Sequence, residues 1–455
     1  MRFMKKLFSL ALVLVLVISL VGCGNKDKNT GATKDGIPKI NEIKLGEDYK
    51  DIKTTIKVLT HRTDLVDNVF KDYVTKFNEV YPNINVEYEG VTDYASDALI
   101  RLTSDNWGDI MMIPAVDKNE LSQYFVSYGD FNTLDGIYNF ANGWEYGKQV
   151  YGIPSTGNAQ GIVYNKKVFE AAGITELPKT PEDFIAALQK VKDSTDAIPL
   201  YTNYAAGWTM GAWDAYLGGS ATGDTNYMNQ VLIHEAAPFS NRSDGTHAYE
   251  VYKVLYDATK NGLIEDDYTT TDWEGCKGMI NNGQIATMVL GSWAIIQMQE
   301  AGDNAADIGY MPFPITVNGK QYASAGGDYN YGINAKASKD NQIASKVYVK
   351  WLTEESNFSY DQGGIPIAKG DKYPDTLSAF DGIELVADAS ALEGEEDFLN
   401  KLNAESELNI NAGGNSKVQG IIEHASNGDM SYDDIMAEWN QKWSDAQTTL
   451  GIDQK

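Results

Sequence analysis

Residues 54–91, "TTIKVLTHRTDLVDNVFKDYVTKFNEVYPNINVEYEGV", constrain the fold more than any other stretch. Ile56 to Leu59 form a short apolar strand. Val66, Val69, Phe70, Tyr73, Val74 and Phe77 then recur at helical spacing until Tyr81-Pro82 stops the run. Ile84, Val86 and Tyr88 alternate as a second strand. A strand, a helix and a strand in this order form a βαβ unit, and parallel pairing of its strands demands a right-handed crossover. An amphipathic helix follows near Tyr94–Leu102, then a strand at "DIMMI" (109–113). That alternation points to an α/β sheet.

The same grammar returns downstream. "VYGIPSTGNAQGIVYNKKVFEAAGI" reads as two strand pieces around a loop, then a helix closed by Gly173 in a left-handed cap. "KTPEDFIAALQKVK" places Thr180 at the N-cap and Pro181 at the first helical position, with Phe184, Leu188 and Val191 as its buried stripe. Ala344, Val347 and Trp351 share one face of a later helix. Ser431 caps a final helix that turns Met436, Trp439 and Trp443 inward. Two α/β lobes, each with its own sheet, account for this order.

The N-terminus sets the compartment. Arg2, Lys5 and Lys6 precede an apolar run from Leu7 to Leu20, the pattern of a secretory signal. The run ends in Leu20-Val21-Gly22-Cys23, which resembles a bacterial lipobox; the resemblance implies cleavage before Cys23 and lipidation of its sulfur. Residues 24–53 are polar and weakly patterned, and read as a flexible tether. The only other cysteine is Cys276, so no intramolecular disulfide is available to the lipidated chain. Trp273, Cys276 and Ile280 lie at i, i+3 and i+7, the spacing of a buried helical stripe.

The chain carries a formal charge of −27, and loss of residues 1–22 removes Arg2, Lys5 and Lys6 but no acidic group, leaving −30. Such a surface repels nucleic acid and anionic headgroups. His61, His234, His247 and His424 are scattered without metal-ligand spacing, and no G-x-S-x-G or H-E-x-x-H motif occurs. No metal site, cofactor or catalysis is expected. A glycosidase would need two opposed carboxylates, and among 64 acidic residues no motif locates such a pair.

Seven stretches, in order, carry a resemblance across nearly the whole mature chain: "FNEVYPNINVEYE", "GDIMMIP", "YGIPSTGNAQGIVYNKKVFEAAGI", "PKTPEDFIAALQKVK", "GQIATMVLGSWAI", "IGYMPFP" and "GGDYNYGINAKASKDNQIASKVYVKWLTEES". The chain resembles the family 1 extracellular solute-binding proteins of ABC importers, the carbohydrate binders typified by maltose-binding protein. The resemblance implies an α/β, two-lobed periplasmic-binding-protein fold with an interlobe cleft and hinge strands. It divides the chain into a signal peptide (1–22), a lipidated tether (23–53), an N-terminal lobe (54–158 and 331–375) and a C-terminal lobe (159–330 and 376–455). Crossings are expected near Thr156–Gly161, Gly326–Tyr331 and Lys372–Leu377. It also implies a monomer on the extracytoplasmic face, held to the membrane by its lipid, that passes a small carbohydrate to permease subunits.

Ligands of open α/β sheets lie beyond the carboxyl ends of strands, so the candidates are the loops there. His61 and Arg62 follow the first strand, with Asp64 beside them as a helix cap. Asn158 matches a family position for a sugar-binding side chain, and its amide can both donate and accept; a hinge turn beside Gly157 is the other reading. Asn203, Tyr204 and Trp208 occupy the loop where the family's second lobe offers polar and aromatic contacts, with Trp213 assigned to the core. Trp293 follows a buried strand and a Gly291-Ser292 break. By periodicity alone it is core, but the resemblance makes it a stacking platform for a pyranose ring. Gly327, Asp328 and Tyr329 line a hinge strand. Arg62 leaves open an anionic, uronic-acid-containing ligand, because a guanidinium grips a carboxylate bidentately. Where the family presents a further aromatic, this chain reads "INAGGNSKVQGIIEH", with Asn415 the nearest match. Trp144, on an expected exposed hairpin, is an alternative platform.

Overall fold

The computed structural model describes residues 36–455 apart from residues 93, 105–106 and 412–415. The signal segment, Cys23 and Asn415 lie outside the described residues. In chain order the strands of the two large sheets are β1 (Thr54–Thr60), β2 (Ile84–Gly90), β3 (Ile110–Met112), β4 (Ile153–Pro154), β5 (Gly157–Asn165), β6 (Ile198–Leu200), β7 (Ile285–Gly291), β8 (Ile308–Pro312), β9 (Tyr322–Gly327), β10 (Asn330–Ile333) and β11 (Glu384–Ala387).

The first sheet has the order β2-β1-β3-β10-β4, and the second β11-β9-β5-β7-β6, with β8 also on β5. β1 and β2 pair in parallel from Thr54 opposite Ile84 to Thr60 opposite Gly90, joined by the helix Val69–Val80. The expected βαβ unit is therefore present, and Phe70, Tyr73 and Phe77 are its buried face. The chain leaves the first sheet for the second at Ser155-Thr156, between β4 and β5, and returns at Asp328-Tyr329, between β9 and β10. It crosses again between Ile367, in the first lobe's core, and Leu377, in a core cluster under the second sheet.

Three helix signals act as read, whereas the first helix, Val69–Val80, is capped by Asn68 and not by Asp64. Thr180 Oγ1 accepts from Asp183 N at 3.2 Å, and Ser431 Oγ accepts from Asp434 N at 3.2 Å. Gly173 adopts φ +68° after the helix Lys166–Ala171. Phe184, Leu188, Val191, Trp439 and Trp443 are all buried.

The tether is shorter than expected. Ile37, Ile40 and Ile43 are buried in the first lobe's core, so residues 37–43 are part of the fold. Ile40 N donates to Tyr128 O at 2.8 Å. Lys346, on the helix Lys339–Glu354, donates from Nζ to Pro38 O at 2.8 Å and Ser127 O at 2.6 Å. Burial pushes this amine down to about 7. Three isoleucines at a spacing of three, inside a polar segment, offered too short a pattern to register as an element.

Candidate functional site

The interlobe end of the second sheet presents one face built by strand alternation. In β5, Asn158, Gln160 and Ile162 project to the same side, because successive side chains alternate. Ile162 joins the second lobe's main core, while Asn158 and Gln160 lie beyond it toward the crossing. Gly326 of β9 pairs with Asn158, and Gly291 of β7 pairs with Gln160. A Cβ on Gly326 would meet nothing within 4 Å, so the space above it is open. Asn158 is buried, and its Oδ1 has no hydrogen-bond partner. A buried amide oxygen without a donor costs roughly 1–3 kcal/mol until something supplies one.

Trp293 explains why its strand ends in glycine. A Cβ on Gly291 would fall 2.6 Å from Trp293 Nε1 and 2.8 Å from Cδ1, so the indole lies directly on the bare Cα. Ser292 fixes the turn: its N donates to Ala159 O at 2.8 Å and its Oγ accepts from Ala159 N at 3.1 Å. Two further tryptophans complete a cluster. Trp208 lies 5.6 Å from Trp293 between ring centroids, Trp273 5.7 Å from Trp293, and Trp208 4.9 Å from Trp273 in an edge-on arrangement. Trp208 is 43% exposed, whereas Trp213 is buried, as expected. Trp273 departs from the buried stripe: Cys276 and Ile280 are buried, but Trp273 starts the helix Trp273–Asn281 half-exposed, with Lys277 Nζ 5.0 Å over its ring. A surface-reaching group of three indoles is a large apolar area at the sheet end, and the face of a sugar ring is a suitable partner for it.

The first lobe contributes a second aromatic group. His61 stacks on Tyr329 at 4.2 Å and meets Tyr94 edge-on at 6.0 Å. Tyr94 is buried and locked, accepting from Met112 N and donating to Met112 O, each at 2.8 Å. His61 Nδ1 is buried without a partner. Burial lowers the imidazole pKa, partly offset by the Asp328 carboxylate, so the ring is neutral at neutral pH. Tyr329 hangs from the second crossing: its carbonyl accepts from Ser155 N at 2.9 Å, and Asp328 N donates to Thr156 O at 2.8 Å. Gly327 permits close packing there, since a Cβ would strike Pro154 Cγ at 2.7 Å.

Two expected contacts, Arg62 and Tyr204, are engaged elsewhere, and a third, Asn203, is buried. Arg62 clamps Asp64 from Nε (2.9 Å) and Nη2 (2.7 Å) and reaches Gln362 Oε1 at 3.0 Å, so its fork already holds a carboxylate. Asn203 is 1% exposed in a left-handed turn at φ +57°, with Nδ2 against Met288 Sδ at 3.4 Å and Oδ1 buried without a partner. Burial, with the hydrogen bond from its hydroxyl to Glu423, raises the Tyr204 pKa to about 12, and its ring stands edge-on to Tyr268. The Asp328 carboxylate accepts from Tyr329 N at 2.7 Å. Trp144 packs half-buried against the first core. Gln160, Tyr94 and Trp273 were missed. Gln160 follows Asn158 by the strand period of two, which is a signal the sequence did contain. Among the described residues no group of three or more His, Cys, Asp or Glu could hold a metal ion.

The lobes also approach at their rims. Asp64 of the first lobe lines a cavity of about 500 Å³ with Glu274, Lys277 and Gln297 of the second. On another side Asn142 Nδ2 donates to Asp388 O at 2.6 Å.

This two-lobed arrangement has counterparts among known proteins. The chain matches the family described as bacterial extracellular solute-binding protein over residues 63–357. The chain belongs to that family. It is 51% identical to a manno-oligosaccharide-specific solute-binding protein of Bifidobacterium animalis subsp. lactis solved with mannotriose. The TM-score is 0.88, over 90% of this chain and 99% of that one. It is 53% identical to an ABC-transporter binding protein of the same organism solved with mannobiose, with TM-score 0.88 and the same coverage. The multiple sugar-binding protein of Streptococcus mutans is 26% identical over 351 residues, 74% of this chain and 80% of the relative. The chain is a solute-binding protein of an ABC importer and not an enzyme.

Proposed function

We propose that the protein captures neutral manno-oligosaccharides at the interlobe end of the second sheet and delivers them to a membrane permease. The observation that carries this reading is the one-faced row of Asn158, Gln160 and Gly326 beside the indole of Trp293. The indole supplies a flat apolar surface for the C–H face of a ring, and the amides answer its hydroxyls. A relative described as manno-oligosaccharide specific, at 51% identity, and another solved with mannobiose, at 53%, support mannose as the unit. Arg62, already holding Asp64 and Gln362, argues against a dedicated carboxylate site there. His61 and Tyr329 close over the sugar from the first lobe.

Capture works by differential affinity: a ligand that touches both lobes favours the closed arrangement by the contacts it gains there. The closed form then presents both lobes to the permease, while acylated Cys23 keeps the protein at the extracytoplasmic membrane face. Calorimetry with mannobiose, mannotriose, raffinose, a chitin oligosaccharide and trimannuronate tests the assignment. Mannotriose or mannobiose should bind most tightly. Binding of other sugars with none of either mannoside would overturn it.

A further inference from the structure

The open space above Gly326 has a second wall opposite Asn158. β11 pairs in parallel with β9, Ser324 opposite Val386 and Ala325 opposite Ala387. Continued by one residue, that register sets Asp388 level with Gly326, and Gly326 is itself opposite Asn158. Side-chain parity agrees. Val386 packs against Gly219, Ser324 Oγ accepts from Ser220 N at 2.8 Å, and Asp388 Oδ1 lies 2.8 Å from where a Cβ on Gly218 would stand. All three therefore face the helix Gly219–Thr222, the face that Asn158 and Gln160 also share. Three neighbouring strands thus offer Asp388, a bare Cα and Asn158 in one row, about 10 Å from end to end at the usual strand spacing.

Neither end of the row is satisfied by the protein. Asn158 Oδ1 is buried without a donor, and none of the described hydrogen bonds or ion pairs reaches the Asp388 carboxylate. Burial without a donor pushes this carboxyl up to about 7. Its backbone is nevertheless fixed from both lobes. Asn142 of the first lobe donates to Asp388 O at 2.6 Å, and Ala389 N donates to Thr225 O at 2.7 Å. Gly218 leaves the carboxylate room, since any side chain there would displace it.

We propose that Asp388 is a specificity-determining ligand contact, whose carboxylate accepts hydrogen bonds from the hydroxyls of a sugar ring seated over Gly326, opposite Asn158. The inference rests on the oligosaccharide reading above and adds a selection rule. A ring in this seat must present hydroxyl donors to the carboxylate. A uronic acid would bring acceptor oxygens, and a second negative charge wherever Asp388 is ionised, to a group that calls for donors.

The test uses the full folded domain, Asp388→Asn and Gly326→Val, with mannotriose and trimannuronate in calorimetry and a melting curve for each protein. Wild type should bind mannotriose and reject trimannuronate. Asp388→Asn should weaken mannotriose about 10- to 100-fold, as loss of hydrogen bonds to a charged group does, and narrow the gap to trimannuronate. Gly326→Val fills the seat from a position where an added Cβ meets no atom within 4 Å, and should abolish mannotriose binding without lowering the melting temperature. Mannotriose affinity unchanged in either variant overturns the role of Asp388 or of the seat. So does a weakening in Asp388→Asn that is equal for both ligands. Wild type binding none of the neutral oligosaccharides overturns the parent reading instead, and this inference with it.

Discussion

Replacing Trp293 with alanine isolates the stacking surface from the hydrogen-bonding row. The indole lies on Gly291 with its neighbours Trp208 and Trp273 at 5.6 and 5.7 Å, so its removal takes away the centre of the aromatic cluster. A sugar face covering one side of an indole buries roughly 70 Å² of apolar surface, which at about 25 cal/mol per Å² is ~1.75 kcal/mol. The specific geometry of ring contact contributes about another 0.5 kcal/mol, so the loss is ~2 kcal/mol, or roughly 30-fold in Kd. Calorimetry with mannotriose measures it directly, and the quench of tryptophan emission on titration gives an independent readout. Trp293 makes no side-chain capping bond at the start of the helix Ala294–Glu300 but packs against the core cluster beneath it, so a melting curve accompanies each titration. Trp293→Phe keeps a flat ring and should lose less than half of the effect. An alanine variant with an unchanged melting curve and an affinity within twofold of wild type would refute the platform.

Three further outcomes are expected. Truncation to residue 44 removes Ile37, Ile40, Ile43 and the Pro38 carbonyl that holds Lys346; it should cost at least about 3 kcal/mol in denaturant unfolding, from three buried aliphatic side chains. A truncated protein with wild-type stability would restore the tether. Cys276 is fully buried and its thiol is pushed up to about 12, so a thiol reagent at pH 9 should react only after guanidinium unfolding; labelling of the native protein would contradict the burial. His61 has its pKa lowered by burial, so the unfolded chain takes up a proton at higher pH than the folded one does. Its contribution to stability is present above about 6.5 and is lost as pH falls below that value, which His61→Gln should abolish in pH-dependent melts. An NMR titration placing His61 above the ordinary histidine value would reverse the sign.

The sequence was most informative where one local signal determines one local outcome. Thr180 before Pro181 caps its helix, and Val347 and Trp351 are buried by helical spacing. Trp293 reads as core by periodicity and as a platform only through the family resemblance, and Gly291 is the reason its indole can lie flat on the sheet. Asn203 and Tyr204 sit differently from the expectation for a shared cause. Their loop is at the expected place, but a left-handed turn buries Asn203 and the helix Ser416–Asn427 supplies Glu423 to take the Tyr204 hydroxyl. Both determinants lie in tertiary packing, and Glu423 is more than two hundred residues away in the chain.

Asp388 was invisible for a different reason. Nothing in its own neighbourhood marks it, because its significance comes from the register of three strands drawn from distant parts of the chain. Gly326 carries the same lesson in reverse. A glycine at that point reads as a flexible hinge residue, yet its φ is not in the left-handed region and it pairs regularly with Asn158. Its bareness creates space: any side chain would occupy the seat between two unsatisfied acceptors. Gly291 and Gly326 therefore do related work on the two strands that flank β5, the first admitting an indole onto the sheet and the second leaving room for a ligand. A cleft of this kind depends on which Cβ atoms are missing as much as on which side chains are present. Alanine at Gly291 and valine at Gly326 should consequently impair binding by opposite routes, the first by lifting Trp293 from the sheet and the second by filling the seat.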